Sequence, residues 1–144
     1  MKKVVQVGVL IITSMAIVGC ASSTAEEIEI NEDKVPSVYS VIGEKKIVGT
    51  NSEIKNKDRI TTLTYKAGSI SEKEMKQYIE HLREEEYVYT LDSKDTVEGT
   101  MTQIGKKSVS DGNIVLIDFL YPAMDSEGVK ITYRSGPGKL KENE

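Results

Sequence analysis

Apolar residues recur along the chain at two periods. Between Ile70 and Leu82 the period is helical: Met75, Tyr78, Ile79 and Leu82 fall at i, i+3, i+4 and i+7, with Lys73, Lys76, Gln77, Glu80 and Glu84 on the other side. Ser71-Glu72-Lys73-Glu74 fits the S-x-x-E capping box, and Ile70 and Met75 stand where a hydrophobic staple would close over it. Elsewhere the period is that of strands. Val38 to Ile42 and Lys46 to Gly49 are expected to pair around Gly43-Glu44, followed by the Thr-rich, β-branched run Arg59 to Tyr65. Beyond the helix come Tyr87 to Leu91, Thr100 to Val109, Ile114 to Tyr121 and Val129 to Tyr133, with Asp111-Gly112 as a turn signal. The fold class expected is α+β, in the order β-β-β-α-β-β-β-β. The links are too short for crossovers, so an antiparallel sheet with one amphipathic helix on one face follows.

The last two strands set a register. With Phe119 facing Ile131 and Ile117 facing Tyr133, the residues Val115, Ile117, Phe119, Tyr121, Val129, Ile131 and Tyr133 share one apolar face, the bed for the helix. The reverse face carries Ile114, Leu116, Asp118 and Leu120 opposite Lys130, Thr132 and Arg134. A strand that is apolar on both sides is central to its sheet and needs a second cover. Either the segment Asp92 to Gly99 or curling of the sheet covers Ile114, Leu116 and Leu120, or these three residues form a partner surface. Asp118, diagonal to Lys130 and Arg134, is expected in a cross-strand ion pair rather than in catalysis.

The first 20 residues follow another pattern. Lys2 and Lys3 precede an apolar run from Val4 to Val18, and Gly19-Cys20 is followed by the polar series Ala21 to Glu27. This is the pattern of a secretory signal peptide, too short to span a bilayer and without a basic stop-transfer cluster. Over the first 20 residues, Ile17-Val18-Gly19-Cys20 resembles the bacterial lipobox, and the profile of the chain is similar to that of small lipoproteins of unassigned role in Gram-positive bacteria. The resemblance implies cleavage after Gly19 by type II signal peptidase and a diacylglyceryl group on the Cys20 thiol. A two-chain lipid holds a protein durably at a bilayer where one acyl chain does not. The implied division is a signal peptide over 1–19, a lipidated flexible tether over 20–36, a folded domain over 37–134 and a disordered tail over 135–144. A coil of that tether's length would reach roughly 20–24 Å.

Composition narrows the function classes. The chain has 144 residues, 38% hydrophobic and 29% charged, with one Cys, one His and no Trp, which fits one domain without a disulfide framework. Residues 1–19 hold two lysines and no acid, so their loss takes the net charge from −4 to −6 and argues against nucleic acid as a partner. The pairs Lys45-Lys46 and Lys106-Lys107 read as solvated charges beside turns.

No residue pattern demands catalysis. His81 lies off the helix stripe, and a relay would have to be built around it alone. No second His or Cys is left for zinc after processing. Asp92, Asp95 and Glu98 recur every third residue but lack the calcium-loop order. Glu84-Glu85-Glu86 opposes the helix dipole, and Gly136-Pro137-Gly138-Lys139 lacks the first glycine and the hydroxyl residue of a phosphate loop. Tyr87 and Tyr89, with Tyr65 near, form an aromatic patch able to pack or to bind a sugar or peptide. The expected function is therefore a non-enzymatic, membrane-anchored, extracytoplasmic binding or adaptor domain of the bacterial envelope. It would be held to the bilayer through Cys20 and would meet an envelope protein through Ile114, Leu116 and Leu120, with no metal or cofactor. A carrier of a glycan, peptide or metabolite is the alternative, and a hydrolase the reading with least support.

Overall fold

The computed structural model describes residues 23–141. The expected signal peptide, Cys20 and the end of the expected C-terminal tail lie outside the described residues. The remainder is an antiparallel sheet with two helices and a separate hairpin on one face, so the α+β class holds while helix count and element order differ from expectation. The elements run β1 (Glu27–Ile30), β2 (Asp33–Pro36), α1 (Val38–Ile42), β3 (Ile47–Lys55), β4 (Asp58–Tyr65), α2 (Glu72–Glu84), β5 (Val88–Asp95), β6 (Gly99–Lys107), β7 (Asn113–Pro122) and β8 (Lys130–Pro137). Six strands form one sheet in the order β3-β4-β8-β7-β6-β5, every neighbour antiparallel.

Helix α2 forms as its sequence dictates. Ser71 Oγ accepts from Glu74 N at 3.1 Å, and Glu74 Oε2 accepts from Ser71 N at 2.9 Å, closing the capping box. Met75, Tyr78, Ile79 and Leu82 are its buried residues, and Ile70 before the cap is buried as well. The register of β7 and β8 is the one the sequence implies: Ile117 pairs with Tyr133 and Phe119 with Ile131. Val115, Ile117, Phe119, Ile131 and Tyr133 are buried beneath the helix layer.

Four expectations are corrected. Val38 to Ile42 is not a strand. Ser37 caps it as a helix, its Oγ accepting from Ser40 N at 3.2 Å, and Gly43 ends it at φ 92°. The cap outweighed β-branched Val38, Val41 and Ile42 because five residues commit so little propensity either way. Consequently β3 pairs with β4 through Asn56-Lys57, both at positive φ, instead of folding around Gly43-Glu44. The tether expected over 20–36 is, from Glu27 on, a hairpin that buries Ile28, Ile30 and Val35 against the main core. The tail expected to be disordered from Ser135 first continues β8 through Ser135 and Gly136 to Pro137.

The hairpin is locked at its tip. Asn31 turns at φ 56°, accepts from Arg59 Nε at 3.0 Å and donates to the Ser135 carbonyl at 3.4 Å. The buried Asp33 carboxylate accepts from Ser108 Oγ and from Val109 N at 2.9 Å, and Glu32 accepts from Ser110 Oγ at 2.9 Å. Three consecutive polar residues thus fasten it to the β6–β7 loop and the β4–β8 ladder. At the core's centre Tyr78 O–H donates to the Pro36 carbonyl at 2.7 Å, and Tyr133 O–H, 2.8 Å away, donates to the Tyr78 oxygen. That chain ties hairpin, helix and sheet together.

Candidate functional site

The sheet's helix face is not covered evenly. Tyr78 meets Phe119 edge-on at 5.8 Å, but the corner of β5, β6 and β7 beyond α2 stays open. A cleft of about 360 Å³ lies there, with Phe119, Met75 and Ile79 among the residues lining it. All three are buried, so the floor is apolar. Ser93, Thr100 and Thr102 supply a wall of hydroxyls from β5 and β6, because alternate residues of paired strands point the same way. Glu72, Lys76 and Glu80, spaced four apart on α2, line the opposite rim. Tyr89 and Tyr121 add aromatic walls.

The polar groups of this cleft are held in place. Ser93 Oγ and Thr102 Oγ1 lie 3.4 Å apart, and Thr100 donates to Asp95 Oδ1 at 2.9 Å. Lys76 pairs with Glu72 at 3.4 Å. Glu80 accepts from Arg83 at 3.2 Å and from the Tyr89 hydroxyl at 3.3 Å, while the Arg83 guanidinium stacks 4.4 Å over the Tyr89 ring. The Tyr89 phenol is pushed above its ordinary range by burial first and by the Glu80 charge second. Hydroxyls, two carboxylates, one ammonium and an apolar floor suit a small amphipathic molecule, whose ring or chain covers the floor while its polar substituents meet Ser93, Thr100 and Glu80.

The residues singled out from the sequence fall elsewhere. Ile114, Leu116 and Leu120 are half-buried on the opposite face of the sheet. A Cβ placed on Gly105 would stand 2.7 Å from Leu140 Cδ2 and 2.8 Å from Leu116 Cδ2, so the C-terminal segment lies against that face. The expected cover, Asp92 to Gly99, is instead the end of β5 and a short turn into β6. Asp118 forms the expected ion pair with Arg134, at 3.6 Å, and accepts from Gln103 Nε2 at 2.6 Å. Gln103 in turn accepts from Thr90 Oγ1 at 2.7 Å, so a polar belt separates Leu116 from Leu120. His81 is half-buried and does not line the cleft.

Tyr87 is buried and Tyr65 with it; of the expected patch only Tyr89 reaches the cleft. Lys45 and Lys106 are not merely solvated, since Lys45 pairs with Glu74 at 2.8 Å and Lys106 donates to the Glu85 carbonyl at 2.9 Å. The cleft itself was missed. Its signal was the pairing of a wide polar rim, Glu72-x3-Lys76-x3-Glu80, with the Thr-x-Thr of β6, which becomes a site only once the register is known.

Among the described residues no group of three or more His, Cys, Asp and Glu is placed to hold a metal ion. No helix among them is long and apolar enough to cross a membrane. The chain matches no protein-family model, no curated protein and no solved structure.

Proposed function

We propose that this chain is a lipid-anchored, extracytoplasmic protein of the bacterial envelope. Its domain binds a small amphipathic ligand without transforming it. The anchor is Cys20, in keeping with the resemblance of Ile17-Val18-Gly19-Cys20 to the lipobox, and the localisation is the outer face of the cell membrane. The observation that carries the binding reading is the cleft beside α2, where an apolar floor meets fixed hydroxyls and carboxylates. Ser93 and Thr102 bond to one another and Thr100 bonds to the exposed Asp95, which fixes these hydroxyls in place as recognition groups. The glycan, peptide or metabolite carrier is therefore favoured over an adaptor acting through Ile114, Leu116 and Leu120.

Two experiments test the two halves. Mass spectrometry of the mature protein should find a diacylglyceryl-modified cysteine at its N-terminus, and an intact leader or an unmodified Cys20 would remove the anchor. For the cleft, the thermal midpoint should rise with at least one compound in a panel of amino sugars, short peptides and amphipathic metabolites. Ser93→Phe, which fills the mouth from an exposed position, should abolish that rise while leaving the ligand-free midpoint in place. A response that survives the substitution would move the site elsewhere.

A further inference from the structure

We infer that Val97 and Met124, on two neighbouring loops, insert into the bilayer to which this chain is anchored, a reading that rests on the proposed lipid at Cys20. Both loops hold a large apolar side chain in the open: Val97 is 99% exposed and Met124 62%. The exposure is not that of slack loops. Thr96 N donates to the Gly99 carbonyl at 2.7 Å, and Thr96 Oγ1 accepts from Glu98 N and from Gly99 N at 3.2 Å each, so Val97 tops a turn closed on itself. Glu127 N closes the other turn on the Met124 carbonyl at 3.0 Å, and Ala123 N donates to the Glu98 carbonyl at 3.0 Å, which joins the two loops into one platform. Gly, Asn and Asp are the usual residues of such a turn, and a fully exposed valine there adds nothing to the core.

The point where the chain enters the domain turns this platform toward the membrane. Ser23 Oγ donates to Glu44 at 3.2 Å, the Lys46 carbonyl accepts from Lys66 N at 2.8 Å, and Tyr65 N donates to the Val129 carbonyl at 2.9 Å. The entry point, the start of β3, the end of β4 and the β7–β8 loop therefore lie at one end of the sheet, and the β5–β6 turn joins them through Glu98 and Ala123. Only residues 21–24 separate Cys20 from the docked chain, a span of at most about 14 Å. A lipid on Cys20 brings this end against the bilayer. Ile54 and Val109 are exposed as well, but they stand at the opposite end, beside the β3–β4 and β6–β7 turns. Glu98, Asp125 and Glu127 flank the two apolar residues, and neither loop holds Lys or Arg, so insertion is driven by apolar burial and not by attraction to anionic headgroups. Two side chains hold a free protein only weakly. An anchored chain meets the bilayer at high effective concentration, and there a weak contact suffices to fix its posture.

The chain has no Trp, so a single introduced one reports its own surroundings. Full-length chains carrying Val97→Trp or Ile54→Trp, purified from bacterial membranes after processing, are placed in vesicles of phosphatidylglycerol and of phosphatidylcholine brominated on its acyl chains. Intact mass on the same samples shows whether Cys20 carries the diacylglyceryl group. On a lipid-bearing chain the tryptophan at position 97 should be quenched several-fold more than the one at position 54, and should emit at shorter wavelength. Adding Met124→Asp should cut quenching at position 97 several-fold at an unchanged thermal midpoint, and added salt should not weaken it. Equal quenching at the two positions, stronger quenching at 54, indifference to Met124→Asp or loss of quenching in salt would each overturn the docking while the anchor stands. A Cys20 without lipid overturns the anchor, and the docking with it.

Discussion

Glu86 occupies the position after helix α2 at φ 74°, where an L-residue crowds its own carbonyl and glycine does not. The Schellman bonds are in place: Glu86 N donates to the Arg83 carbonyl at 3.1 Å and Tyr87 N to that of Leu82 at 3.3 Å. Glu86→Gly keeps both bonds, removes the strain and takes a negative charge from the helix's negative end. It should therefore stabilise the domain by about 0.5–1 kcal/mol, read from the denaturant midpoint at constant slope. Lys57→Gly should act likewise in the β3–β4 turn, where Lys57 sits at φ 73°. The tyrosine pair separates two substitutions of equal volume. Tyr78→Phe leaves the Pro36 carbonyl and the Tyr133 hydroxyl proton unpaired in a dry core, a loss of about 1–3 kcal/mol. Tyr133→Phe leaves Tyr78 still donating to Pro36 and should cost clearly less. Equal losses in chemical denaturation would mean that the two hydroxyls do not form the chain described.

The hairpin of β1 and β2 stands between a tether and a structural element, and one carboxylate decides which it is. Asp33 is buried and binds the β6–β7 loop through Ser108 and Val109. Asp33→Ala should free the tip, so that amides of residues 27–36 and 108–110 exchange faster together while those of β7 and β8 keep their protection. Uniform loss of protection would show instead that the hairpin is inseparable from the core. Its sequence was legible in retrospect: Glu27-Ile28-Glu29-Ile30 alternates at the period of a strand, and its burial alternates in step. Placed after an apolar leader-like run and among acids, the segment reads as solvated spacer, because what holds it is tertiary and sits about 75 residues away at Ser108. By contrast α2 and the β7–β8 register were legible because their determinants are local, a capping box in one and cross-strand alternation in the other. Helix α1 defeated the same reasoning since its five residues are β-branched or aromatic but for Ser40, and only the Ser37 cap speaks for a helix. The cleft was legible only in its parts, the rim of Glu72, Lys76 and Glu80 and the Thr-x-Thr of β6; that they enclose an opening depends on where α2 fails to cover the sheet, a property of placement.

At the scale of the whole molecule, burial of phenols and the point of chain entry both have measurable consequences. Burial raises the pKa of Tyr65, Tyr78, Tyr87 and Tyr133 well above the ordinary tyrosine value. An unfolded phenol ionises near pH ~10, so these four contribute stability that is intact below that pH and is lost as pH climbs above it. Their phenolate absorbance should appear in one step together with loss of the sheet's circular dichroism, and ionisation preceding unfolding would contradict their burial. Orientation at the membrane follows from the hairpin, on the proposal that Cys20 carries the lipid. The Ala25 and Glu26 carbonyls are bound by Ser37, and Ser23 Oγ donates to Glu44 at 3.2 Å, so the domain is entered beside α1. Residues 21–24 are then the whole spacer, and at about 3.3–3.6 Å per residue their span cannot exceed about 14 Å. That distance is shorter than the reach of a free 16-residue coil, roughly 20–24 Å, and it lets only one end of the domain approach the bilayer. A fluorophore attached at Glu44→Cys should be quenched by a headgroup-located quencher more strongly than one at Lys57→Cys, in the turn beyond the hairpin tip. With Asp33→Ala added the contrast should shrink as the hairpin lengthens the tether. Equal quenching at both positions in the parent chain would show that the domain tumbles freely above the membrane, and that the docked hairpin does not set its height.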